Sequence, residues 1–309
     1  MSIGIPYMGS KRKLSSKILK LIVARHNGIS DFYDLFGGGG SVSFTSIKEH
    51  RFNVHYNELN SHIYHLVNYL KTNKDLEPKF YEWVTRDEFN KQCARNDADW
   101  YSGFVMSCWS FGNNQKCYLY GAEIEEIKRL AHEFIVNGCL DSMGKLNVNI
   151  PTLLDIKDVQ KRRIVFCDYV GKLNNERFDV ESLERFVQLE RIQNLQNLQN
   201  LQNLQNLQNL QTSNLSYEKV IIKGKNPVIY CDIPYRGTAK YKEGGFDYDA
   251  FYQWVNDCHY PVYISEYDAP FNEIHAFTHR SSLSATKNKK TIEKLYWNGK
   301  GNVNQTKLF

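Results

Sequence analysis

The stretch that decides the fold is Phe32-Tyr33-Asp34-Leu35-Phe36-Gly37-Gly38-Gly39-Gly40, in which a short apolar run meets four consecutive glycines. The apolar run predicts a buried strand, and the glycines predict a tight turn into a helix over 41–50. Glycines at this point let the backbone approach a ligand and let the next helix pack closely. A plain turn would need the same residues, and the absence of a following Gly-Lys-Ser/Thr excludes a P-loop.

The pattern on either side of this stretch predicts an α/β fold. A helix is expected over 10–26, with Ser10 as its N-cap, and alternation over 52–56 predicts a second strand. A further helix follows, marked by Ile63, Leu66, Val67 and Leu70. Short apolar runs at 164–167, 228–231 and 262–264 predict three more strands. A strand–helix–strand–helix order of this kind predicts a parallel sheet with crossover helices.

Two segments interrupt this rhythm. Residues 73–160 are interpreted as a mostly helical insertion, with an amphipathic helix over 122–137 that Gly138 ends. The catalytic domain is therefore predicted to comprise 1–72 and 161–309, with a second, low-complexity insertion at 190–215 inside it.

The low-complexity insertion contains six copies of Gln-Asn-Leu between Gln193 and Leu210. On an α-helix each step of three residues shifts a leucine by about 60°, so six leucines would circle the helix. The pattern favours a variable surface insertion. A regular period-three structure or a partner-binding surface is the alternative.

Composition narrows the class of protein. The chain has 309 residues and a formal charge of +5, which permits a nucleic-acid partner without requiring one. No apolar run approaches the ~20 residues needed to span a bilayer, and none follows the basic N-terminus as in a signal peptide. The seven cysteines form no Cys-x-x-Cys pair, which argues against a disulfide framework or a zinc site. We therefore expect an intracellular protein with reduced thiols.

Acidic residues follow two of the predicted strands. Glu58 lies about 20 residues beyond the glycines, where a carboxylate can accept both hydroxyls of a ribose. A solvated loop carboxylate would be the plain alternative. Asp232-Ile233-Pro234-Tyr235 follows the apolar run 228–231 directly, at the edge of the sheet where α/β proteins bind ligands. Together these features point to an adenosine-containing cofactor.

In this order the motifs resemble those of the Dam-type DNA adenine-N6 methyltransferases. Asp232–Tyr235 resembles their Asp-Pro-Pro-Tyr motif, and Phe36-x-Gly38-x-Gly40 resembles their cofactor motif. Pro6–Lys11 is similar to the opening aromatic-x-Gly-Gly-Lys segment, and Asn57–Asn60 is similar to the motif with the ribose-binding acid. Val165–Asp168 resembles the strand whose aspartate meets the cofactor adenine.

The resemblance implies a Rossmann-like sheet with helices on both faces and a mostly helical target-recognition insertion. It implies S-adenosyl-L-methionine as cofactor, no metal, and double-stranded DNA as substrate, with the target adenine flipped out of the duplex. The implied catalytic residues are Asp232, Pro234 and Tyr235. The implied cofactor-binding residues are Tyr7, Lys11, Asp34, Phe36, Gly38, Gly40, Glu58 and Asp168.

Two motif residues differ from the family pattern, and several polar and basic residues are candidate contacts to DNA. Ile233 replaces the usual first proline and Ser10 the second glycine of the opening motif, although a residue before proline is already biased to extended backbone. Asn113, Asn114, Gln115 and Lys116 are the candidate base and phosphate contacts, with a polar turn as the alternative. Further candidate phosphate contacts are Lys161-Arg162-Arg163 and Lys287, Lys289 and Lys290.

The sequence thus predicts a site-specific DNA adenine-N6 methyltransferase of restriction–modification, phage or orphan type. We expect it in the cytoplasm of a bacterial or phage-infected cell, as a monomer on DNA, with no membrane partner. A cognate restriction endonuclease encoded elsewhere is a further expected partner. The alternatives are an amino-methyltransferase acting on RNA or protein, and a non-catalytic nucleic-acid binder that retains the fold.

Overall fold

The computed structural model describes residues 3–172, 190–204, 207–236, 245–280 and 290–301. The chain divides into two compact units. The first, here called the sheet unit, comprises Met1–Gly4, Ser10–Tyr64 and Leu204–Phe309. The second, the helical unit, comprises Ile5–Gly9 and His65–Asn203, and is longer at both ends than the insertion predicted over 73–160.

A seven-stranded sheet forms the centre of the sheet unit, with the order β3-β2-β1-β4-β5-β7-β6. Strands β1 to β5 run parallel, and β7 is antiparallel to both β5 and β6. The strands are β1 Asp31–Asp34, β2 Asn53–Asn57, β3 Gln211–Ser213, β4 Pro227–Asp232, β5 Val262–Glu266, β6 Asn272–Arg280 and β7 Lys290–Trp297. The predicted parallel sheet is therefore confirmed for β1, β2, β4 and β5.

Helices α1 Ser15–Val23, α2 Ser41–Glu49 and α10 Tyr248–Asp257 lie in the sheet unit, and α3 Ser61–Thr72 spans the boundary between the units. One sheet face is buried under α10, where Phe251 and Val255 pack against Tyr33, Ile229 and Ile264. Helix α1 starts later than predicted. Ser10 does not cap it, because the N-cap position is Leu14; the Ser10 hydroxyl instead lies 2.6 Å from that of Ser41.

The helical unit contains α4 Arg86–Cys93, α5 Trp100–Cys108, α6 Ala122–Asn137, α7 Leu140–Lys145, α8 Val159–Lys172 and α9 Glu190–Gln202. Helix α6 matches its prediction, and Gly138 ends it in the left-handed conformation (φ 73°). Its inward face packs Phe134 against Phe166 of α8. No helix among the described residues is long and apolar enough to cross a membrane.

The strand predicted at 164–167 is wrong, because this segment lies within α8. Within the run Ile-Val-Phe-Cys, Ile164 is 53% exposed, whereas Phe166 and Val170 are buried. Burial at a spacing of four residues is the helical pattern. A short apolar run in the sequence does not by itself distinguish a buried strand from a buried helix. The third strand of the sheet along the chain is instead Gln211–Ser213.

The Gln-Asn-Leu array also differs from its prediction. Leu195, Leu198 and Leu201 of α9 are each at most 1% exposed, and Asn194 and Gln199 donate hydrogen bonds to Cys108 O and Tyr81 Oη, both at 3.0 Å. Three leucines at this spacing cover an arc of only about 120°, so they share one face. The helix ends at Gln202, before the fourth leucine of the array, and the next described element along the chain is a 3₁₀ turn over Leu207–Asn209.

Candidate active site

The carboxyl ends of the parallel strands bring the predicted acidic residues to one edge of the sheet. Asp34 ends β1, Glu58 follows β2 and Asp232 ends β4. Strand register aligns Asp34 with Tyr56 of β2 and Tyr230 of β4. Ligands of open α/β sheets bind at this edge, which agrees with the site predicted from the sequence.

The glycine turn between β1 and α2 is fixed by backbone hydrogen bonds. Gly37 N donates to Asn57 O at 2.8 Å, and Gly40 N donates to Gly37 O at 2.8 Å. Gly38 and Gly40 have φ values of 47° and 71°, which side chains other than glycine rarely adopt. A Cβ at Gly37 would collide with the ring of Tyr56. The turn therefore requires these glycines for its conformation and packing.

Asp34 is a buried carboxylate with spare hydrogen-bonding capacity. Its Oδ2 accepts a 2.7 Å bond from the Ser43 hydroxyl, while its buried Oδ1 has no hydrogen-bond partner among the described residues. Burial, reinforced by the charges of Asp232 and Glu58, raises the pKa of Asp34 to about 7 although Ser43 opposes the shift. An unpartnered buried carboxylate oxygen suits a cationic group such as the ammonium of S-adenosylmethionine.

Glu58 ties the glycine turn to the end of β2. Its Oε2 accepts a 2.7 Å bond from Gly38 N, and its Oε1 accepts a 2.8 Å bond from Asn60 N. The neighbouring strand β3 was missed by the sequence analysis, because Gln211–Ser213 is too short and polar to signal a strand. At its end Asn214 donates to Glu58 O at 2.6 Å, so the segment after β3 contributes to this corner of the site.

Lys11 lies between two carboxylates. Its Nζ is 2.8 Å from Asp232 Oδ1 and 3.4 Å from Glu293 Oε1. Burial opposes the charge of Lys11, but the two carboxylates outweigh burial and raise its pKa above the ordinary value. For Asp232, burial raises the pKa to about 6, with Lys11 opposing and Glu293 adding to the shift. Lys11 therefore stays charged and orients Asp232.

Tyr235 lies against the same group. The Lys11 ammonium is 4.8 Å from the centre of its ring, and the ring of Tyr267 meets it edge to face at 4.6 Å. Burial, followed by the charges of Asp232 and Glu293, raises the pKa of Tyr235 far above its ordinary value, so the phenol stays neutral. Glu293 was missed because its partner, Lys11, is nearly the whole chain away in sequence.

The remaining predicted cofactor contacts lie in three different segments of the described chain. Tyr7 is half-buried and groups with the helical unit, and Phe36 packs in an aromatic cluster with Tyr217 at 5.5 Å. The predicted cofactor residue Asp168 lies on the exposed surface of α8, where its carboxylate pairs with Lys172 at 2.7 Å. The strand that was expected to carry Asp168 to the sheet edge is a helix, so that basis for assigning it to the cofactor adenine is lost. Lys287 and Lys289 lie outside the described residues, as does the side chain of Lys290.

The candidate DNA contacts lie in a loop of the helical unit, closed by an antiparallel bridge between Ser110 and Tyr118. Asn113 and Gln115 have positive φ values of 57° and 60°, and Asn114 Oδ1 accepts bonds from the amides of Lys116 and Cys117. Asn114 thus shapes the loop. Phe111, at the start of the loop, is 66% exposed, a contact surface that the sequence analysis did not single out.

The α/β sheet, with a glycine turn after β1 and carboxylates at the ends of its parallel strands, is that of a Rossmann-like methyltransferase. Residues 7–137 match the family model of the D12 class N6 adenine-specific DNA methyltransferases. This match confirms the predicted resemblance over the matched residues and indicates the enzyme class of adenine-specific DNA methyltransferases. The matched range contains Lys11, the glycine turn and Glu58, whereas Asp232 lies beyond it. No curated protein matches the chain.

Proposed function

We propose that the chain transfers a methyl group from S-adenosylmethionine to the exocyclic amine of an adenine flipped out of double-stranded DNA, at a specific site. The observation that carries this proposal is the position of Asp232, which ends β4 and is held at 2.8 Å by the buried Lys11. The glycine turn and the buried carboxylate of Asp34 lie on the neighbouring β1.

The cofactor would be held by residues of the sheet unit. The free oxygen of Asp34 suits its ammonium group, and Glu58, beside the glycine turn, is the proposed partner of the ribose hydroxyls. When bound, S-adenosylmethionine supplies an electrophilic methyl group on a sulfonium. Direct transfer of that methyl group depends on orienting the cofactor and the amine more than on acid–base catalysis. A site built from buried, mutually oriented side chains agrees with this requirement.

Asp232 acts on the target amine. The lone pair of the adenine amine is delocalised into the ring, and an acceptor of its N–H hydrogens draws the nitrogen toward tetrahedral geometry. The Asp232 carboxylate and the Pro234 carbonyl are the proposed acceptor pair. That carbonyl already accepts a bond from Tyr248 Oη, and a second lone pair remains for the amine. Asp232 can also accept the proton that the amine loses on methylation.

Base flipping and DNA contact involve the remaining aromatic and polar residues. Tyr235 is the proposed stacking partner of the extruded base, whose removal from the duplex costs about a few kcal/mol. Asn113 and Lys116 are the proposed contacts to base edges and phosphates, whereas the predicted contact Gln115 is buried and is not included. The exposed ring of Phe111 in the same loop adds an apolar surface that can pack against unstacked bases.

The test is Asp232→Ala in the full chain, with Asp257→Ala, an exposed carboxylate at the end of α10, as the control. Methylation is followed as cofactor-dependent protection of DNA from a methylation-sensitive nuclease. We expect Asp232→Ala to lower the single-turnover rate by at least about 100-fold while DNA binding persists. A rate near wild type would refute the assignment of Asp232. Protection without S-adenosylmethionine would instead favour the non-catalytic DNA-binding alternative.

A further inference from the structure

The turn that follows β4 lacks the proline that would stiffen it, since Ile233 stands at that position. Two contacts restrict it instead. The Ile233 side chain is 2% exposed and belongs to the apolar cluster that includes Phe251 and Tyr252 of α10. One residue later, Pro234 O accepts a 2.7 Å hydrogen bond from Tyr248 Oη, at the start of the same helix. Helix α10 therefore holds this turn through both an apolar and a polar contact.

Tyr248 is held in place by its own neighbours. The guanidinium of Arg236 lies 4.6 Å from the centre of the Tyr248 ring and 3.5 Å from Asp249. The amide of Arg236 donates to Glu266 Oε2 at 3.2 Å, which links the turn to the end of β5. Phe246 meets the Tyr248 ring edge to face at 5.0 Å. These contacts limit the rotamers of Tyr248, so its hydroxyl is pre-oriented toward the carbonyl.

We propose that Tyr248 is a positioning residue for methyl transfer: its hydroxyl fixes the peptide planes of Asp232–Tyr235 and replaces the restriction that the missing proline would impose. This inference rests on the proposed function, because the turn matters for rate only if Asp232 and a turn carbonyl orient the target amine. The hydrogen bond from Tyr248 to the Pro234 carbonyl orients the acceptors of the target amine and does not bind substrate itself. Its loss should therefore lower kcat more than it raises KM.

The variant Tyr248→Phe removes the hydroxyl and keeps the ring under Arg236. Tyr252→Phe is the matched control, because Tyr252 lies one turn further along α10 and its buried hydroxyl has no hydrogen-bond partner among the described residues. We expect Tyr248→Phe to lower the single-turnover rate about five- to tenfold with KM for DNA and cofactor within about twofold, the usual effect of one hydrogen bond. Tyr252→Phe should stay within about twofold of wild type in every parameter.

A double-mutant cycle with Ile233→Pro tests whether the hydroxyl substitutes for a proline. Proline restricts its own φ and the preceding residue, so the turn in an Ile233→Pro background needs less help from Tyr248. We expect Tyr248→Phe to cost less than about twofold in rate in that background, as non-additivity of coupled sites predicts. Equal losses in both backgrounds would overturn the substitution argument, because a merely structural tyrosine would act independently of residue 233.

Hydrogen–deuterium exchange of the unliganded protein gives a readout that does not depend on activity. Tyr248→Phe should speed exchange of the Arg236 amide several-fold, since its bond to Glu266 depends on a fixed turn, and Tyr252→Phe should not. Unchanged exchange, or a rate equal to that of the control, overturns the positioning role. A wild-type chain that methylates no DNA overturns the proposed function and the catalytic role together, whereas an active wild type with an unaffected Tyr248→Phe overturns this inference alone.

Discussion

Glu293 is the second carboxylate beside Lys11, and its charge has a predictable effect on the pH dependence of methylation. Only the ionised Asp232 can accept the proton that the amine loses and bind the amine hydrogens with a charged oxygen, so the rate should fall as the pH drops through its pKa of about 6. Burial raises the pKa of Asp232 most, and the charge of Glu293 raises it further, whereas Lys11 and a hydrogen bond with Tyr235 lower it. Neutralising Glu293 should therefore move the acidic limb of the profile to lower pH.

The measurement is the single-turnover rate of Glu293→Gln across the acidic range, compared with Glu273→Gln as a control. Glu273 lies on the adjacent strand β6 and pairs with Lys294 at 2.8 Å. Its removal should leave the midpoint in place. A midpoint that rises in Glu293→Gln would mean that Glu293 mainly orients Lys11, and that Lys11 stabilises the Asp232 anion less well without it.

At the residue scale, the sequence predicts those site residues whose position follows from a strand end. Asp34, Glu58 and Asp232 each follow a β-rich run, and parallel strands bring such residues to one edge. Glu293 could not be found this way, because its contact with Lys11 depends on how β7 inserts beside β5. The predicted place of Asp168 at a strand end is wrong for the converse reason, since the run before it is apolar but helical.

At the scale of elements, α9 shows that a low-complexity repeat can form part of a core. Leu198 is fully buried, and its neighbours Leu195 and Leu201 share its face. Leu198→Ala should lower the stability of the chain by about 2–5 kcal/mol, because it leaves a cavity where surrounding side chains cannot fully collapse. Asn203→Ala, at an exposed position just after the helix, should stay within about 0.5 kcal/mol.

Thermal and denaturant unfolding followed by far-ultraviolet circular dichroism measures both variants. Equal midpoints for Leu198→Ala and Asn203→Ala would show that the repeat is only loosely attached. Six leucines at this spacing would circle one continuous helix, and for that reason the sequence pattern favours a surface insertion. Only three leucines of the array lie on the helix; Leu207, in a later 3₁₀ turn, and Leu210, just after that turn, are also buried.

For the whole molecule, a net charge of +5 is too small to bind DNA by itself, so the placement of basic side chains decides affinity. The predicted run at 161–163 separates into two kinds of residue. Lys161 is exposed, whereas Arg162 donates to the carbonyls of Ile135 and Ile156 and thereby ties α8 to its neighbours. Of these two residues, only Lys161 is available to neutralise a phosphate of DNA.

Binding of the chain to duplex DNA, measured by fluorescence anisotropy over ~50–200 mM salt, distinguishes the two kinds of residue. The logarithm of the association constant should fall linearly with the logarithm of salt concentration, with a slope of about −0.9 for each phosphate neutralised. Lys161→Gln should reduce the magnitude of the slope by about 1 if this lysine meets a phosphate. Arg162→Gln should leave the slope unchanged and lower the unfolding midpoint, since it loses two carbonyl contacts. A slope near zero for the wild type would contradict electrostatic DNA binding altogether, and a loss of slope in Arg162→Gln alone would reverse the assignment of the two residues.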